Sequence, residues 1–237
     1  MFFAMRERRV LIIIPAYNEV AVIGKVLSGL PKMVGEFAID MLVIVDGSTD
    51  NTPNVASKAG ATVISHLLNT GSGGATYSGI VYAREEGYKY AVTMDADGQH
   101  TAEDAVSIVT RILKNDADLV IGSRLINAKG MPWYRQMGNW GLSWITFMLF
   151  GLHVTDSQSG LKGFSRRALE ELHIKSTGYE FCSEIIWRAK QLNLRVVEIP
   201  IKAIYTEYSL SKGQTNWNAV NVIKKLIKRK ILELIDA

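Results

Sequence analysis

Between residues 10 and 122, short runs of Val and Ile alternate with stretches in which apolar residues recur every three or four positions. Uniformly apolar runs suit strands covered on both faces, and the wider spacing suits helices with one buried stripe, so the order predicts a parallel sheet with crossover helices. Strands are expected at 10–14, 41–45, 61–65, 90–94 and 118–122. Pro15 stops the first, and Asp46 with Gly47 ends the second. Between these two, Val22, Ile23, Val26, Leu27 and Leu30 form one helical stripe. Thr49 or Asp50 can cap the next helix, with Pro53 in its first turn, where a missing N–H costs nothing. A Gly-rich turn leads to a helix near 75–86. The clearest helix starts at Thr101, with Asp104 three residues on and Ala105, Ile108, Val109, Ile112 and Leu113 as its buried stripe.

Beyond residue 125 the sequence becomes aromatic-rich and weakly charged. Helices are expected at 135–150, 179–192 and 217–235, and a strand at 195–204 interrupted by Pro200. No linker composition intervenes, so residues 1–237 read as one domain with halves at 8–125 and 126–213 and a basic amphipathic helix at 214–237. With 48% apolar and 21% charged residues the chain can build a core, which excludes disordered, collagen-like and coiled-coil classes. Cys182, the single cysteine, has no partner at metal-ligand spacing and reads as a structural thiol in a reducing, cytoplasmic setting. The first residues are too briefly apolar for a signal peptide, and no uncharged stretch reaches the roughly 18 residues of a spanning helix. Charge is uneven: residues 202–230 hold seven Lys or Arg against one acid, Glu207, in a chain of net +4.

Ligands of open parallel sheets bind beyond the carboxyl ends of the strands. Those positions carry PAYNE (15–19), DGSTD (46–50) and DADGQH (95–100). Acidic clusters converging on one edge repel one another unless they hold a cation or sugar hydroxyls. In extended backbone Asp95, Asp97 and Gln99 project to one side about 6.5–7 Å apart, and Gly98 lets the chain turn. Hard oxygen donors of this kind suit Mg²⁺ or Mn²⁺ with positions left for phosphate oxygens. The plainer alternative is a solvated turn whose aspartate caps the next helix. The turn NTGSGGA (69–75), which includes Gly71, offers N–H groups to a phosphate, or else is a tight turn under close helix packing, for which Gly79 also argues. It is no Walker A loop, since no Gly-Lys-Ser/Thr follows.

PAYNE, VDGSTD, NTGSGGA, DADGQH, GSR (122–124) and DSQSGLKGF (156–164) together resemble, in order and spacing, family 2 glycosyltransferases similar to dolichyl-phosphate mannose synthase, over roughly residues 8–213. The resemblance implies a GT-A α/β fold with a mostly parallel sheet and helices on both faces, a divalent cation, inversion at the anomeric carbon and a polyprenyl phosphate acceptor. It implies that Pro15, Tyr17, Glu19, Asp46, Gly71 and Asp95 border a UDP- or GDP-linked sugar, and that Asp95, Asp97 and Gln99 hold metal and diphosphate. Arg124 and Arg135 match acceptor-phosphate arginines. Three positions depart from the pattern. Val45 stands where a second acid is usual, Asn139 where serine is common, and 205–208 lacks an expected Asp-Arg, which leaves Lys212 to supply charge.

Asp97, Asp156 and Arg124 are the candidate catalytic residues. Asp156 is either a general base for a saccharide hydroxyl or a carboxylate that orients an arginine, because a lipid phosphate is already ionised and needs no base. A non-catalytic nucleotide-sugar-binding protein would need neither arginine. Nucleotidyltransferases are excluded by the lack of their Gly-rich basic first turn, and nucleic acid is not an expected partner. The uncharged segment 140–152, flanked by Trp133 and Tyr134 and studded by Trp140 and Trp144, suits a membrane interface or a buried helix. The terminal basic helix suits anionic lipid, another subunit of a homo-oligomer, or simple core packing. Together these place the chain peripherally on the cytoplasmic face of a membrane.

Overall fold

The computed structural model describes residues 8–202, 204, 221–228 and 230. Lys212, the 205–208 departure and most of the expected terminal helix lie outside these residues. In chain order the elements are β1 (Arg9–Ala16), α1 (Ile23–Gly29), β2 (Met33–Val34), β3 (Phe37–Asp46), α2 (Thr52–Lys58), β4 (Thr62–His66), α3 (Ser72–Glu85), β5 (Tyr90–Thr93), α4 (Ala102–Ile112) and β6 (Leu119–Ser123). They continue with α5 (Trp133–Phe150), β7 (Lys162–Ser165), α6 (Arg166–Glu171), α7 (Phe181–Gln191) and β8 (Val196–Pro200), and residues 221–228 are helical.

Strand alternation sorts the core into two layers. Leu11, Ile13, Leu42 and Ile44 face α3, α6 and α7, whereas Val10, Ile12, Ile14, Val43 and Val45 face α1, α2 and α4. The sheet runs β4-β3-β1-β5-β7-β6-β8, with β2 forming a short hairpin on β3. Pairings of β4, β3, β1 and β5 are parallel, as are those of β6 and β8. β7 is antiparallel to both neighbours. It was not expected: Lys162-Gly163-Phe164-Ser165 holds no Val or Ile and one charge, so its apolar signal is weak. This strand, from the second half of the chain, sits between two strands of the first, so both halves share one sheet.

Caps and glycines explain the best-formed helices. Thr101 and Asp104 make the reciprocal capping box on α4. Asp50, not Thr49, serves α2, its Oδ1 accepting from the Thr52 N–H at 3.0 Å. Gly79 lets α3 lie against β1, where a Cβ would stand 2.2 Å from Ile13 Cγ2. At the side of the molecule Leu142 and Phe150 of α5, Trp187 of α7, and Val222 and Leu226 of helix 221–228 form a separate apolar cluster.

Candidate active site

The carboxyl ends of β1, β3 and β5 open into a cavity of about 520 Å³, closed opposite by α5 and the start of α7. Pro15, Tyr17, Glu19, Asp46, Gly71, Asp95, Asp97, Gln99, Arg124 and Arg135 all stand on its wall. Asp156 does not: it is fully buried behind Arg124.

Of the DGSTD cluster only Asp46 reaches the cavity, because Asp50 is taken by α2. The Asp46 carboxylate accepts from the Thr70 N–H (2.8 Å), the Thr70 hydroxyl (2.7 Å) and the Gly71 N–H (2.8 Å), and pairs with His66 Nδ1 at 2.8 Å. Burial opposes its ionisation, but these bonds prevail and hold its carboxyl below the usual range. Asp46 therefore pins the Gly-rich turn to the end of β3. The N–H groups of Gly73 and Gly74 donate to the Thr177 carbonyl, which removes them as phosphate donors. A Cβ on Gly73 would lie 2.3 Å from Ser176 O. The glycines thus serve close packing, the second of the two roles the sequence allowed.

Asp95 and Asp97 have opposite electrostatics. Burial disfavours the charge on Asp95, but the hydrogen bond and charge of His100, with Arg124 and Lys162 beyond, hold its carboxyl below the ordinary range. The Asp97 carboxyl is pushed up to about 6, first by burial and then by the charge of Asp95. Two carboxylates sharing a wall in this way gain from a cation between them. Among the described residues no three His, Cys, Asp or Glu side chains cluster to hold a metal by themselves. Asp95 and Asp97 with the Gln99 amide instead form a partial oxygen donor set, which fits Mg²⁺ or Mn²⁺ completed by ligand phosphate oxygens.

Arg124 follows β6, and Asp156 grips it: Nε donates to Oδ2 at 2.7 Å, Nη2 to Oδ1 at 2.9 Å, and the backbone N–H to Oδ2 at 3.1 Å. Although burial works against ionisation, the charge and hydrogen bonds of Arg124 hold the Asp156 carboxyl below the usual range. Arg135 reaches the same wall from the first turn of α5.

Sequence reasoning missed three residues here. His100 closed the DADGQH motif without a role, and it lies buried with Nε2 3.2 Å from Asp95 Oδ2. Tyr179, just before α7, lines the cavity with its phenol held protonated by burial and by the charges of Asp95 and Asp97. Lys162 of β7 is buried, its Nζ donating to the Ser159 carbonyl. Cys182 is buried against the cavity and its thiol is pushed up by burial, so it stays an inert packing group.

A mostly parallel sheet thus brings the paired carboxylates at its strand ends and two arginines onto the wall of one cavity. The family model described as "Glycosyl transferase family 2" matches residues 11–173, and the chain belongs to that family. It is 37% identical over 98% of its length to the UDP-N-acetylglucosamine–dolichyl-phosphate N-acetylglucosaminyltransferase of Methanococcus voltae, all of which is covered. It is also 35% identical over 86% of its length to the undecaprenyl-phosphate mannosyltransferase of Micrococcus luteus, covering 87% of that protein. Among solved structures, glucosyl-3-phosphoglycerate synthase of Mycobacterium tuberculosis, in complex with Mn²⁺, UDP-glucose and phosphoglyceric acid, matches with a TM-score of 0.71 at 19% identity. The match covers 95% of this chain and 79% of that one, and it shows the shared fold.

Proposed function

We propose that the protein transfers a hexose or N-acetylhexosamine, with inversion, from a UDP- or GDP-sugar to a polyprenyl phosphate at the cytoplasmic surface of a membrane. The observation that carries this reading is that Arg124 and Arg135 stand on the same cavity wall as Asp95 and Asp97, beside an exposed apolar helix face. The acceptors named for the Methanococcus and Micrococcus relatives support it.

Pro15, Tyr17 and Glu19 border the nucleotide, and Asp95, Asp97 and Gln99 would hold Mg²⁺ or Mn²⁺. That cation, when bound, neutralises charge on the departing nucleoside diphosphate. The acceptor phosphate has a second pKa of about 6, so its oxygen is ionised at neutral pH and requires placement more than deprotonation. Arg124 and Arg135 supply that placement. Asp156 acts by holding Arg124, since both of its oxygens face that guanidinium. As the phosphate oxygen bonds to the anomeric carbon, the bond to the leaving diphosphate breaks on the opposite face. Lys212 is proposed as a further phosphate contact.

The surface of α5 fits the lipid end. Trp133 (76% exposed), Met137, Trp140, Trp144 and Met148 recur at three- and four-residue intervals, which sets them on one exposed face. No helix among the described residues is long and apolar enough to cross a membrane. Such a face lies on a membrane surface, and the basic 202–230 segment adds attraction to anionic lipid.

The test is a donor panel beginning with UDP-N-acetylglucosamine and GDP-mannose, a short-chain polyprenyl phosphate, and Mg²⁺ or Mn²⁺. Released nucleoside diphosphate and glycosylated lipid are the readouts. Transfer to simple saccharides and never to the lipid phosphate overturns the proposal.

A further inference from the structure

We infer that Glu198, on the edge strand β8, is a positioning residue for transfer that fixes both the guanidinium and the backbone of Arg124. The inference rests on the reading of Arg124 as an acceptor-phosphate ligand.

Glu198 interrupts the apolar run Val196-Val197-Glu198-Ile199. Val197 and Ile199 pack into the layer with α1, α2 and α4, so Glu198 turns to the other face. There its Oε1 accepts from the Thr155 N–H (2.9 Å), the Thr155 hydroxyl (2.8 Å) and the Asp156 N–H (3.2 Å), and Oε2 accepts from the Thr155 N–H at 2.8 Å. Two routes lead from this carboxylate to Arg124. One runs through the backbone of Asp156, whose side chain grips the guanidinium. The other runs through Thr155: its hydroxyl hydrogen points to Glu198, so the Ser123 hydroxyl, 2.6 Å away, must donate to Thr155 Oγ1. Ser123 Oγ in turn accepts from the N–H groups of Leu125 and Ile126, at 3.2 and 3.3 Å. The residues on both sides of Arg124 are tied to this chain.

Both routes start from an acceptor with no hydrogens of its own, the Glu198 carboxylate. Three donors converge on two oxygens, and an ionised carboxylate accepts all of them. Glutamine has the same size, but its NH₂ must then face a Thr155 or Asp156 donor, which sets donor against donor and loosens the 155–156 turn. Glu198 is absent from the cavity wall, so its influence on a substrate passes through Arg124.

The test compares Glu198→Gln, Arg124→Ala and the double variant of the full chain, with short-chain polyprenyl phosphate as acceptor and thermal unfolding followed in parallel. Glu198→Gln is expected to lower kcat/KM for the lipid phosphate about tenfold, mainly through its KM, with KM for the nucleotide sugar unchanged. In the Arg124→Ala background the same change should add almost nothing, a non-additivity that general loosening would not produce. Thr155→Val, which removes the hydroxyl route and keeps the backbone bonds, should give a smaller loss of the same kind and serves if Glu198→Gln does not fold. Acceptor kinetics equal to wild type in these variants, or a full Glu198 effect without Arg124, overturn the inference. If Arg124→Ala itself leaves acceptor kinetics unchanged, the phosphate reading falls and this inference with it.

Discussion

At the scale of single residues, the cavity separates side chains that line its wall from those that hold them. Asp97 belongs to the first group, and Asp97→Ala should keep the fold while abolishing metal-dependent transfer, which circular dichroism and an EDTA-controlled assay check together. Arg124→Ala removes a charged hydrogen bond worth about 1.5–3 kcal/mol, so kcat/KM for the lipid phosphate should fall roughly ten- to a hundredfold with little change in nucleotide-sugar affinity. Asp156→Asn should be milder than Arg124→Ala, because the amide oxygen still accepts from one guanidinium nitrogen. A saccharide acceptor reverses that ranking, and steady-state kinetics of both variants decide it. That Asp95, Asp97, Gln99 and Arg124 share one cavity wall was legible, because DADGQH and GSR follow strands whose carboxyl ends open on one edge. The role of Asp156 was not, since its partner lies 32 positions away and a carboxylate reads the same as base or as anchor.

At the scale of elements, α5 and α3 make separate demands. The α5 face predicts that Trp133→Ser with Trp140→Ser and Trp144→Ser reduces co-sedimentation with anionic liposomes while the folded fraction holds. Binding that ignores these changes places the face elsewhere. Gly79→Ala drives a methyl into Ile13, and overpacking of this kind costs about 1–3 kcal/mol, a melting temperature lower by a few degrees for a chain of this size. Differential scanning calorimetry measures it. Most elements were legible from periodicity; the exceptions were β2, β7 and α6. The two residues of β2 and the six of α6 are too short for their periods to repeat, and β7, as long as β5, lacks the Val that made β5 visible.

At the scale of the whole molecule, Asp118 ties three strands where their ends meet. It accepts from the backbone N–H, Nε and Nη2 of Arg195, just before β8, and from the Ser165 hydroxyl at the end of β7. The hydrogen bond from Arg195 is the main reason its carboxyl sits at about 2 instead of 3.8. A carboxyl depressed in the folded state stabilises it above the unfolded value, so this contribution is complete above about pH 4 and disappears as pH falls toward 2. Asp118→Asn should therefore lower the melting temperature at pH 7 and flatten its decline in acid, as read by thermal scans from pH 7 to pH 2.

The reversed strand β7 also dictates an order of events during synthesis. Until residues 162–165 leave the ribosome, β5 has its β1 neighbour and a bare second edge, and β6 has no route to the rest of the sheet. The nascent first half thus ends in an open strand edge, a template for pairing with other chains. A fragment stopped near residue 130 should associate through that edge, whereas adding a peptide that spans 154–172 in trans should restore a monomer. The two parts of the sheet become one only with the strand that carries Lys162.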